Sequence, residues 1–114
     1  MENQTGVAEE VRASAAGVAG LCYENIGERA QAIEHLKLAI QLAPQQANSY
    51  LALAFLFEKA QKFDAAIEVL EQGRARLPQS LEFLLPLGGN LVSAARYPAG
   101  IEVLKELLGK VPNV

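Results

Sequence analysis

Few side chains in this chain of 114 residues could do chemistry, and none is spaced for it. The single histidine, His35, lies in a helical pattern between Glu34 and Lys37. A paired-imidazole zinc site needs a second histidine, and Ser–His or Cys–His catalysis needs a base beside a nucleophile; the sequence offers neither. His35 is therefore read as a partly exposed helix residue. The single cysteine, Cys22, can form no internal disulfide and no cysteine metal cage. It precedes Tyr23 and is read as a small, buried helix-contact residue rather than a reactive thiol. Leu87-Gly88-Gly89-Asn90 lacks the spacing of a phosphate-cradling loop. Glu24 and Glu58 are 34 residues apart, an interval that recurs along the chain, so they are equivalent positions rather than an acid–base pair. Asn3-Gln4-Thr5 matches a glycosylation sequon, but Met1-Glu2-Asn3-Gln4 lacks the charged-then-apolar layout of a secretory signal. The expectation is no catalytic residue, no metal and no cofactor.

The elements that hold these residues follow from the interval. Pro44, Pro78 and Pro112 stand 34 residues apart. At the same period fall Gly20, Ala54 and Gly88; Tyr23, Phe57 and Leu91; Ala32, Ala66 and Gly100; Ile33, Ile67 and Ile101; and Leu36, Leu70 and Leu104. A fixed period of this length marks a repeat architecture. Three units result, 13–46, 47–80 and 81–114, after an N-terminal extension, 1–12, whose first six residues read as loose.

Each unit carries two helical patterns around a short polar break. In the second unit Tyr50, Leu53, Ala54 and Phe57 share one face, and Ala66, Ile67 and Leu70 share another. Short breaks make paired helices antiparallel neighbours. Six helices are predicted near 7–26, 29–43, 47–60, 63–76, 81–94 and 97–110. Gly27 suits the end of the first helix. Pro98 and Asp64 suit helix starts, and Ser80 is a candidate N-cap. Pro86 removes a backbone donor inside the fifth pattern, so a bend or loosened turn is expected there.

Bulk properties agree. Hydrophobic residues make 51% of the chain but aromatics only 6%, and Ala and Leu carry the share, which favours helix. The formal charge of −3 comes without the clustered basic face that a nucleic-acid partner wants. No stretch approaches the about 20 apolar residues that cross a bilayer. The predicted class is a single, soluble, cytoplasmic domain with no nucleic-acid partner and no membrane insertion.

The 34-residue helix–turn–helix unit resembles the tetratricopeptide repeat. The family's small-residue position carries Gly20, Ala54 and Gly88, its first-helix aromatic position Tyr23, Phe57 and Leu91, and its second-helix Ala position Ala32, Ala66 and Gly100. The late small position carries Ala39, Gly73 and Leu107, and the closing Pro is Pro44, Pro78 and Pro112. The usual early Trp position holds Ala16, Tyr50 and Leu84. The resemblance covers 13–114 and implies an all-α fold: a right-handed α-solenoid of three repeats and six helices. It also implies a non-enzymatic protein-interaction module with a concave groove lined by the first helix of each unit. Some family members hold a peptide's terminal carboxylate there with Lys, Asn and Arg. The matching positions here are Gly17, Leu21, Ala52, Glu82 and Pro86, none of which can donate, so a clamp of that kind is not expected.

The inner stripe of the first helices reads Ser14, Gly17, Leu21, Glu24; then Asn48, Leu51, Phe55, Glu58; then Glu82, Leu85, Gly89, Val92. Each set is spaced to lie on one helical face. Its centre is apolar. Either the chain's own helices cover these residues, or they floor an exposed groove. The groove reading predicts an apolar or amphipathic peptide or helix as ligand, held by Leu21, Leu51, Phe55, Leu85 and Val92, with Asn48 alongside and an acidic margin of Glu24, Glu58 and Glu82. The last helix has no successor, which leaves Val103, Leu107 and Leu108 as a possible association end and suggests a longer array. Self-association into a homo-oligomer is thus an alternative to peptide binding. A third reading is a scaffold part of a larger enzyme or secretion chaperone.

Overall fold

The computed structural model describes residues 2–112, with side chains from residue 6 onward. Six helices form: α1 (Glu2–Asn25), α2 (Arg29–Leu42), α3 (Ala47–Lys59), α4 (Phe63–Arg76), α5 (Leu84–Ser93) and α6 (Tyr97–Lys110). They pack as the pairs α1/α2, α3/α4 and α5/α6, joined through α2/α3 and α4/α5. The result is an all-α solenoid. Its Cα radius of gyration, 15.3 Å, exceeds the about 13 Å of a compact chain of this length, as stacking along one direction requires.

The turns inside the units share one geometry. After α1, the Gly27 N–H donates to Glu24 O (3.0 Å) and the Glu28 N–H to Tyr23 O (2.8 Å). After α3, Gln61 donates to Glu58 O and Lys62 to Phe57 O; after α5, Ala95 donates to Val92 O and Arg96 to Leu91 O. These are the paired bonds of a Schellman close, which needs one left-handed residue. Gly27 (φ 83°), Gln61 (φ 60°) and Ala95 (φ 62°) supply it, one per repeat period.

Small residues set the helix spacing within each pair. A Cβ on Gly20 would lie 2.9 Å from Leu36 Cγ, and one on Gly88 would lie 2.6 Å from a Leu104 methyl. The middle unit tolerates Ala54 at this place. The core runs on between units: Tyr50, Leu53, Leu56, Ala66, Leu70, Phe83 and Leu87 are all buried. At the joint of units two and three, the Phe83 ring meets Tyr50 edge-on, 6.0 Å between centroids, in space left by Gly73. The Tyr50 hydroxyl donates to Pro44 O at 2.6 Å, which satisfies it and ties α3 to the preceding turn.

Several expectations need correction. The first helix begins at Glu2 rather than near residue 7. The fifth begins at Leu84 rather than 81. Pro86 thereby falls in the first turn, where N–H groups have no helical partner in any case, and no bend is required. Ser80 is not an N-cap; its hydroxyl accepts from the Glu82 N–H at 3.3 Å within the turn before α5. Cys22 is exposed, not buried. Its equivalents Leu56 and Asn90 are buried, 1% and 2% exposed, in units that have another before them; the first unit has none among the described residues. Phe57 is half-buried rather than fully core, because its ring borders an open cleft between α2 and α4.

Candidate protein-interaction face

On α1, Ala13, Ala16 and Gly20 are buried, while Ser14, Val18 and Leu21 turn outward. Every third or fourth residue repeats this division along α3 and α5. Large apolar side chains are consequently left open on the outward stripe: Leu21 is 47% exposed, Phe55 52%, Leu85 64% and Val92 45%. Leu51 differs, being half-buried against the core. Between α1 and α3 the stripe deepens into a cleft of about 390 Å³, bordered by Ser14, Gly17, Val18 and Leu21 on one side and Asn48 and Ala52 on the other. Val18, 60% exposed, is a lining residue the sequence reading missed. Its repeat equivalent is Ala52, so the period gave no hint of an apolar contact there.

The charged margin is not a plain acidic rim. Lys59 Nζ donates to Glu24 Oε1 at 3.1 Å, a bridge from α1 to α3, and lies 5.4 Å from the centroid of the Phe55 ring. Glu24, Lys59 and Phe55 thus form one connected group. Glu58 lies 3.4 Å from Asn90 Nδ2 across α3 and α5. Asn90 is 2% exposed and also donates to Pro86 O at 2.8 Å; its Oδ1 has no partner. Glu82 is exposed, but in the turn before α5, off the helical stripe.

A larger depression, about 550 Å³, lies on the opposite side between α2 and α4, lined by Lys37, Ile40, Leu53, Phe57 and Glu68 among others. Part of its apolar floor is already packed: Leu53 and Val69 are buried. The inner stripe presents more open apolar surface: Leu21, Phe55, Leu85 and Val92 are exposed, whereas Ile40 and Phe57 are half-buried.

At the chain's far end Leu108 is 76% exposed, while Val103 and Leu107 are half-buried, Val103 against the core. Tyr97 and Ile101, 57% and 53% exposed, complete the open surface of α6. His35 is half-buried; its Nδ1 lies 2.9 Å from Gln31 O and its ring centroid 4.9 Å from that of Tyr23. Among the described residues no group of three or more His, Cys, Asp or Glu could hold a metal ion. No described helix is long and apolar enough to cross a membrane.

The family model of the tetratricopeptide repeat matches residues 27–83, half of the chain. The chain belongs to the tetratricopeptide repeat family. As a TPR protein it is a protein–protein interaction module built from helical repeats. No curated protein sequence matches it. Among solved structures it is similar to MamA protein, at 22% identity and a TM-score of 0.77, over 90% of this chain and 60% of that one. It is also similar to the N-terminal domain of stress-induced protein-1 (STI-1) from C. elegans, at 16% identity and a TM-score of 0.84, over 93% and 89% of the two chains. A third is the second TPR of Spaghetti (RPAP3), bound to the HSP90 peptide SRMEEVD, at 15% identity and a TM-score of 0.80, over 97% and 96%. At these identities the likeness is one of fold. The TPR chain described here spans 60% of the length of the MamA chain.

Proposed function

We propose that this TPR protein is a non-catalytic module that takes an apolar or amphipathic helix or extended peptide along the concave face of α1, α3 and α5. The observation that carries the reading is the row of large side chains, Leu21, Phe55, Leu85 and Val92, that the repeats do not need for their own packing and leave about half open to water. Burying such a row against a ligand is favourable at roughly 25 cal/mol per Å² of apolar surface. The apolar anchors would enter beside Phe55 and in the α1/α3 cleft, with Asn48 at its edge. Glu58 and Glu82 would favour basic flanks on the ligand, while Lys59, engaged by Glu24, contributes less charge than its position suggests.

The same inner face argues against an acidic tail as ligand. The second TPR of RPAP3 is bound to SRMEEVD, in which three of the last four residues are acidic. At the positions where a carboxylate clamp would stand, this chain has Gly17, Leu21, Ala52, Glu82 and Pro86. The absence of a clustered basic face likewise favours a protein partner over nucleic acid.

The test is to select peptides from a display library on the intact chain, then map a selected peptide by amide chemical-shift changes. Shifts concentrated at Leu21, Phe55, Leu85 and Val92 support the reading. Shifts concentrated at Ile40, Phe57 and Val69 would move the site to the α2/α4 cleft and overturn it.

A further inference from the structure

We propose that the chain associates head to tail, the outer face of α6 in one copy receiving α1 and α2 of the next copy as a following unit. This surface meets the inner stripe only at Val92, and the proposal does not rest on peptide binding there. The reason begins with burial. Ile67 on α4 is 7% exposed and Leu70 0%, on a helix that packs against α5 of the third unit. Ile101, the equivalent of Ile67 one period on, is 53% exposed, and nearby Leu108 is 76% exposed. The α6 face has the register of a unit joint without its second half.

The side chains that would meet there can be read by moving each contact of the existing joint along by one repeat. Gly73 makes room for the Phe83 ring; the shifted pair is Leu107 of one copy and Ala15 of the next, with the bulk exchanged between the two sides rather than doubled. Arg74 pairs with Glu106 across α4 and α6; the shifted pair is Leu108 and Leu38. Both leucines are exposed in the single chain, 76% and 37%, so a charged pair inside the solenoid becomes an apolar pair between its ends. Glu58 and Asn90 become Val92 and Cys22, again both exposed and compatible. Asp64 and Arg96, 2.8 Å apart, become Pro98 and Glu28. No shifted pair sets like charges together.

Such a contact joins two different surfaces, so each copy keeps one free end and growth is open unless the rotation closes a ring. The interface is therefore tested by complementation. Sedimentation velocity of the intact chain from micromolar to millimolar concentration should show a mass that rises with concentration. Leu108→Glu blocks one end and Leu38→Glu the other, so each variant alone should be a monomer, with the far-UV circular dichroism of the parent as proof of folding. Leu38→Gln serves if Leu38→Glu fails to fold. An equimolar mixture of the two variants should form a dimer and nothing larger, because only one pair of intact ends remains. A parent chain that stays monomeric contradicts the proposal and leaves the α6 face to a further repeat or another partner. Association of Leu38→Glu like the parent, with only Leu108→Glu monomeric, would mean that two α6 faces pair with each other, and also contradicts it. So does a mixture that remains monomeric.

Discussion

Gly88 and Leu104 touch across α5 and α6 so closely that a Cβ on the glycine would fall 2.6 Å from a leucine methyl. The next residue, Gly89, has nothing within 4 Å of the place its Cβ would occupy. Two adjacent glycines on one helix are thus under opposite constraints. Gly89→Ala should stabilise by about 0.5–1 kcal/mol through helix propensity. Gly88→Ala gains the same propensity but must displace Leu104, at an overpacking cost of about 1–3 kcal/mol, so its net effect should be a loss. Gly20→Ala should lose stability for the same reason against Leu36. Urea unfolding of the three variants checks the contrast; a stabilised Gly88→Ala would show that α6 can move away freely.

The left-handed residues that close α1, α3 and α5 give a second test. A left-handed non-glycine residue costs roughly 1–2 kcal/mol. Ala95→Gly should therefore raise stability by about 1 kcal/mol, and Gly27→Ala should lower it by a similar amount. Thermal denaturation reads both. An unchanged melting temperature for Ala95→Gly would place no strain at that turn.

Tyr50 spans the joint of the first and second units through its bond to Pro44 O. Tyr50→Phe keeps the ring against Phe83 and removes only the hydroxyl. A loss of about 0.5–1.5 kcal/mol is expected. Burial already pushes the Tyr50 hydroxyl's pKa up, with the Arg76 charge acting against it, so the phenol should stay protonated until well into alkaline pH. Ultraviolet titration of phenolate absorbance should show one late-ionising tyrosine, absent in Tyr50→Phe.

Glu106 accepts a hydrogen bond from Arg74 and another from Lys110, and these hold its carboxyl below the ordinary value of 4.5. A carboxyl whose pKa is lowered by folding stabilises the fold above its unfolded pKa and loses that effect as pH falls through the folded value. Denaturation midpoints of the parent should therefore drop more on acidification below 4.5 than those of Glu106→Gln. Both side chains of the Arg74–Glu106 pair are still 31% exposed, so the difference should be small and should shrink at high salt. Parallel acid limbs at low salt would show that the pair contributes nothing.

The period of 34 made most of the fold legible, because equivalent residues do equivalent work: Gly20 and Gly88 meet Leu36 and Leu104 in the same way. Legibility failed where a residue's surroundings differ from those of its equivalents. Cys22 follows the pattern of a buried residue but has no unit before it among the described residues. Phe83 follows no repeat signature, yet it is fully buried, because Gly73 opens a space that Ala39 does not. The start of α5 was missed because Pro86 reads as a defect deep inside a helix that starts at 81, and becomes harmless once the helix starts at Leu84, two residues before it. At the candidate site the sequence placed Leu21, Phe55, Leu85 and Val92 on a common stripe. It could not foresee the Glu24–Lys59–Phe55 group, since nothing local sets Lys59 across from another unit's glutamate.

The central claim is that the open stripe of α1, α3 and α5 binds the partner, and Phe55 tests it most directly. Its ring is 52% exposed, while Leu56 beside it is 1% exposed. Isothermal titration of a display-selected peptide into the parent chain and Phe55→Ala measures what the ring contributes. The expected result is a loss of about 2 kcal/mol in affinity, roughly thirtyfold. Phe55→Ala should keep most of the parent's stability, whereas Leu56→Ala should lose about 2–5 kcal/mol of it. Unchanged affinity in a folded Phe55→Ala would contradict the account, and so would a stability loss as large as that of Leu56→Ala, which would make Phe55 part of the core and close the groove.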